Sequence, residues 1–126
     1  MGAGFGDPET NKKVERAAVR AVRTYFEQRG FDVQSFEGGK VGFDLKCVQE
    51  KIVFHVEVKG IAGSVEAFSM TALEFKLAQS DPEFRLAVVV NALSKSREVR
   101  IYGRRDFRRN FEAVPLQYRC TRVRCV

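Results

Sequence analysis

Three charged residues, Asp44, Glu57 and Lys59, have the types and spacing to do chemistry together. Glu57 and Lys59 are one residue apart in an otherwise apolar run, so a strand places both on one face, about 7 Å apart along it. With Glu50 and Lys51 as a two-residue turn, the hairpin register sets Asp44 opposite Glu57, with β-carbons about 5 Å apart. Carboxylates that close repel unless something positive lies between them, and a hard divalent cation is the usual remedy. Lys59 on the same face is placed to polarise a water or steady the charge on a phosphate. Gly42 and Gly60 leave space beside the cluster. An ordinary charged patch on a sheet has the same spacing. Position favours chemistry, because these charges fall on the strand that reads as central, where a purely solvating role is least expected.

The elements that position these residues are legible in order. Asp7, Pro8 and Glu9 form a helix start: an Asx cap, a proline whose missing N–H is not needed, and an acid at the positive helix end. This predicts a helix to about Gln28, stopped by Gly30. Val14, Ala17, Ala18, Ala21, Val22, Tyr25 and Phe26 make its buried stripe, and Glu15 falls at the margin of that stripe, either a surface acid or a site residue. Phe31 to Phe36 alternates as a first strand, followed by a Gly38-Gly39 turn. Val41 to Val48 and Lys51 to Lys59 form the hairpin, with Ile52, Phe54, Val56 and Val58 facing the core.

A second helix is expected from Thr71 to about Gln79. Its Thr71 and Glu74 stand in capping-box spacing, which accounts for both without a catalytic role. Asp81-Pro82 ends it, Phe84 to Asn91 is a β-branched buried strand, and Glu98 to Tyr102 is another. Gly103 to Val126 gives weak local signals, and Pro115 blocks a continuous element there. The resulting order is αβββαβ, an α/β class with a central mixed sheet flanked by helices.

Length and composition fit one soluble domain over residues 1–126, with a loose start at 1–6 and a basic tail at 119–126. The longest apolar run, Leu86 to Val90, is far short of a membrane span, and no export signal opens the chain, so a cytoplasmic location away from membranes is expected. Cys47, Cys120 and Cys125 form no metal-binding spacing and read as free thiols. Residues 95 to 126 carry ten basic side chains against three acidic, while the first 94 residues are near neutral. Nine of the ten are arginine, suited to forked phosphate contacts. Arg97, Arg100, Arg104, Arg105, Arg108 and Arg109, with Lys76 on the second helix, are therefore candidate nucleic-acid contacts. A merely solvated basic face explains them too.

GFDL at Gly42 to Leu45 and HVEVKG at His55 to Gly60 resemble the core of the PD-(D/E)XK nuclease superfamily. More narrowly, NKKVERAA at Asn11 to Ala18, the VGFDL hairpin, EVKG, the segment from Ser69 to Glu74 and LAVVVNA at Leu86 to Ala92 resemble the small domain at the C-terminal end of the plant protein NO VEIN, also found in many bacterial proteins. The likeness covers about residues 5 to 118. It implies a restriction-endonuclease-like fold, with Asp44, Glu57 and the Val58 carbonyl as metal ligands, Lys59 as charge stabiliser and Glu15 as an added helix-borne acid. Phe43 stands where the superfamily's name has proline.

Two functions from different classes follow. One is a Mg²⁺- or Mn²⁺-dependent endonuclease acting on DNA, a module of the restriction or defence kind, working as a homodimer or in a larger defence complex. The other is a non-catalytic nucleic-acid-binding or protein-interaction module on the same fold. RNA or branched DNA as substrate fits the same residues, since phosphate contacts carry no base information. His55, the only histidine, shares the face of Glu57 and fits either a hydrogen-bonded imidazole or a site residue.

Overall fold

The computed structural model describes residues 7–38 and 40–124. Helix α1 (Pro8–Gln28) begins as its cap residues dictate: Asp7 accepts a hydrogen bond from the Thr10 N–H at 3.1 Å, and Pro8 takes the first turn. Gly30, at φ +86°, lets the chain leave the helix in the left-handed region. The stripe of Val14, Ala18, Val22 and Phe26 is buried.

Five strands follow in the spatial order of their sequence: β1 (Asp32–Ser35), β2 (Leu45–Gln49), β3 (Ile52–Gly60), β4 (Phe84–Val90) and β5 (Glu98–Tyr102). The β1–β2, β2–β3 and β4–β5 pairs are antiparallel. The β3–β4 pair is parallel, which requires a crossover, and α2 (Ala72–Ser80) supplies it. This is the mixed, helix-flanked α/β sheet expected from the element order. The hairpin turns at Glu50 and Lys51, with Glu50 at φ 52°, and pairs Leu45 with Val56, the expected register. Strand β2 starts at Leu45 and not at Val41, because the chain before it swings toward α2. Gly42, at φ +85°, makes that bend, and a β-carbon there would stand 2.6 Å from Leu77 and 2.9 Å from Leu73. The Gly38-Gly39 turn is described only at Gly38, and residues 1–6 of the expected loose start lie outside the described residues.

Alternation along the strands divides the core into two layers. On one face Leu45, Cys47, Val56, Val58, Ala87 and Val89 pack against the α1 stripe. On the other, Phe84, Leu86, Val88 and Val90 pack against Ala78 of α2 and Phe107 of a third helix, α3 (Arg104–Asn110). Helix α3 is an element the sequence did not signal. Phe107 is its one buried side chain, stacked on Phe111 with ring centres 5.6 Å apart. Ile52, expected in the core, sits at the hairpin end and is 48% exposed. Residues 111–124, around Pro115, form no regular element. Among the described residues no helix is long and apolar enough to cross a membrane. Cys47 is a buried free thiol that burial pushes up to about 11, Cys120 is exposed and free, and Cys125 lies outside the described residues.

Candidate active site

Strand β3 carries the site because its odd and even residues meet different layers. Phe54, Val56 and Val58 join the α1 layer, so Glu57 and Lys59 point to the face covered by α2. Gly60 ends the strand directly under α1, where a β-carbon would stand 2.8 Å from Ala18 Cβ and 3.0 Å from the Val14 carbonyl.

Asp44 stands one residue before β2. Its N–H donates to the Val56 carbonyl at 2.9 Å, and its Oδ2 accepts from the Val58 N–H at 2.8 Å. The side chain thus continues the ladder where β2 has ended. A strand residue's N–H and C=O point to the same side, so the Val58 carbonyl also faces that opening. One step beyond the Leu45–Val56 pair, Asp44 lies opposite Glu57, as the hairpin register predicts.

Glu57 and Lys59 are each 1% exposed. The Lys59 ammonium lies 3.1 Å from Glu57 Oε2 and 3.0 Å from Glu74 Oε1. The first contact lacks the geometry of a hydrogen bond, and Glu57 Oε2 is buried without a hydrogen-bond partner among the described residues. Burial pushes the Glu57 carboxyl up to about 8, with Asp44 and Glu74 adding to the rise and Lys59 opposing it. Burial also raises Asp44, against the lowering effect of the Val58 N–H. For Lys59, burial would lower the ammonium, but Glu57 and Glu74 outweigh it and hold it above its ordinary value. Burial would raise Glu74, yet the Thr71 N–H and Lys59 bring it below the usual carboxylate range.

Glu74 is the residue that sequence reasoning missed. Its capping box with Thr71 is present, and the same Oε1 that accepts from the Thr71 N–H accepts from Lys59. The cap was a complete explanation of the residue, so nothing in the spacing pointed further.

Glu15 is half-buried on the turn of α1 that seats on Gly60, and no hydrogen bond or ion pair joins it to Asp44, Glu57 or Lys59 among the described residues. Lys76, Arg105, Arg108 and Arg109 are exposed on α2 and α3, in the layer that covers Glu57, and Arg104 there is half-buried. Arg97, across the molecule, lines a groove with Tyr25 and Arg29 of α1. Arg100 is engaged elsewhere: it pairs with Glu66 at 2.7 Å and Glu98 at 3.1 Å, tying the loop before α2 to β5. A second group of ligand-capable atoms lies on the same face of β3, where His55, Asp81 and Glu83 bring theirs within 4.8 Å of one another.

The donor set at Asp44 and Glu57 fits a hard divalent cation. Two carboxylates, Glu57 and Glu74, hold the Lys59 ammonium and Asp44 feels its charge; these side chains offer only oxygen donors, and among the described residues one buried carboxylate oxygen lacks a hydrogen-bond donor.

Compared with known proteins, residues 14–102 match the family model described as Protein NO VEIN, C-terminal. No curated protein and no solved structure matches the chain.

Proposed function

From the premise that the chain belongs to the NO VEIN C-terminal family, we propose that it is a metal-dependent nuclease of the PD-(D/E)XK kind, hydrolysing phosphodiester bonds in DNA. The observation that carries this reading is the meeting of Asp44 and Glu57 beside the Lys59 ammonium, at the point where β2 parts from β3. Asp44, Glu57 and the Val58 carbonyl would hold Mg²⁺ or Mn²⁺. When bound, such a cation lowers the pKa of a water and neutralises charge in an in-line displacement.

The rest falls to the chain's own residues. Lys59, fixed between Glu57 and Glu74, supplies a positive charge that cannot wander, so no reorganisation is needed when negative charge develops on a phosphate. The Val58 N–H holds the Asp44 carboxylate in place. Glu15 adds an acid on the helix turn above Gly60. Exposed Lys76, Arg105, Arg108 and Arg109, with Arg104, offer backbone contacts in the same layer. A 14.3 kDa chain is too small to surround a duplex, so double-strand cutting calls for a homodimer or a larger defence complex. A cytoplasmic setting suits both.

The burial of Lys59 and Glu57 favours a second reading, a nucleic-acid-binding or protein-interaction module whose charge cluster is closed off and structural. Incubation with supercoiled plasmid in Mg²⁺ or Mn²⁺, beside an EDTA control and the Asp44→Ala protein, separates the two. Metal-dependent nicking that disappears with Asp44 supports the nuclease. Binding with a steep salt slope, no cutting and no sensitivity to Asp44→Ala supports the module.

A further inference from the structure

His55 is held by backbone and side chain together. Its N–H donates to the Glu83 carbonyl at 2.9 Å, which fixes Glu83 beside it. Asp81 caps the end of α2, with Oδ1 accepting from the Glu83 N–H at 2.9 Å and Oδ2 lying 2.7 Å from His55 Nδ1. The ring also stacks on Phe43 with centres 4.5 Å apart. A carboxylate is an acceptor only, so the short contact places the ring hydrogen on Nδ1 and leaves the Nε2 lone pair bare in the neutral imidazole.

That lone pair faces another acceptor: Glu83 Oε1 is 3.8 Å from His55 Nε2. Two ligand atoms about 2.1 Å from a tetrahedral ion stand about 3.4 Å apart, so the gap has the span of one bound ion. A carboxylate on the far ring nitrogen is the usual outer partner of a metal-bound histidine, since it fixes the tautomer and the ring plane.

We propose that His55 Nε2 and the Glu83 carboxylate bind a borderline divalent ion such as Zn²⁺, with Asp81 orienting the imidazole and water completing the shell. The nitrogen donor sets this site apart from an oxygen-only Mg²⁺ site. The two groups of ligands share no residue, and the inference does not rest on the nuclease reading. The effect of the ion is to cross-link the middle of β3 to the corner between α2 and β4.

The test uses the metal-stripped folded chain with its accessible thiols alkylated, titrated with Co²⁺ and read by visible absorption, then by competition with Zn²⁺ and Mg²⁺. The ¹⁵N signals of the ring are followed in parallel, and they are unambiguous because the chain has one histidine. One equivalent of Co²⁺ is expected to move the Nε2 signal, displaced from it by Zn²⁺ but not by Mg²⁺, separately from any ion held at Asp44 and Glu57. Glu83 is half-exposed, so Glu83→Gln leaves the fold intact and is expected to weaken Co²⁺ binding at least 10-fold. His55→Gln abolishes it, Asp81→Asn weakens it by about 10- to 100-fold, and Asp44→Asn leaves it unchanged. Binding that survives Glu83→Gln and His55→Gln, or that is lost in Asp44→Asn instead, overturns the proposal.

Discussion

The two faces of the sheet are built from the same strands with opposite priorities. Under α1, the buried positions of β3 and β4 are apolar, with Arg85 half-buried over the Phe54 ring at the start of β4, and Val14, Ala18, Val22 and Phe26 fill the space above them. Under α2, the same alternation delivers Glu57 and Lys59 into a layer otherwise made of Phe84, Leu86, Val88 and Val90. One face gains stability from burial. The other accepts the desolvation of charged groups: Asp44 and Glu57 are shifted toward the neutral form, and Glu74 is held ionised by the Thr71 N–H and Lys59. The difference teaches how the sheet is divided: both layers bury apolar side chains, and the second alone also carries buried charges whose desolvation works against stability.

Substitutions can break this contrast in order of size. Phe26→Ala, in the α1 layer, should cost about 3–5 kcal/mol, read as a lowered urea midpoint with unchanged slope, while cutting per folded molecule stays the same. Loss of cutting at full foldedness would mean that the α1 layer does more than support. A smaller effect divides the roles of Glu74. Thr71→Ala should cost about 1 kcal/mol through the lost cap. Glu74→Gln keeps the capping hydrogen bonds, so it should melt close to the original protein yet cut more slowly, because Lys59 loses a charged partner. Equal stability loss in both would assign Glu74 to the cap alone. The smallest change is expected from Arg100→Ala, which should melt close to the original protein, with DNA affinity unaltered because Glu66 and Glu98 already occupy its charge. A clear drop in affinity would return Arg100 to the nucleic-acid surface.

Much of this arrangement was legible in the chain because its signals are local. Asp7 and Pro8 start α1, Gly30 stops it, and a two-residue turn at Glu50 and Lys51 fixes the register that sets Asp44 against Glu57. What stayed hidden depends on packing between distant elements. Helix α3 has one buried apolar residue, so no periodicity announces it, and Phe107 forms it only by docking on the α2 layer. Glu74 reaches Lys59 only because α2 lies across the odd face of β3. His55, Asp81 and Glu83 come from a strand, a helix end and a loop, and nothing in their spacing joins them.

The most direct test of the contrast measures melting temperature and plasmid nicking on the same preparations of the original protein and Glu57→Gln across pH 4.5 to 8. With the folded Glu57 pKa near 8 and its ordinary value 4.5, the folded chain keeps a proton in this interval that the unfolded chain has lost. The stabilisation this proton gives is full below about 4.5 and lost as pH rises through 8, so the original protein should lose stability toward pH 8. Glu57→Gln should be the flatter and, at pH 8, the more stable of the two, while its Mg²⁺-dependent nicking falls by roughly 100-fold or more. A Glu57→Gln protein that cuts as fast as the original, or that is less stable at pH 8, would contradict the account.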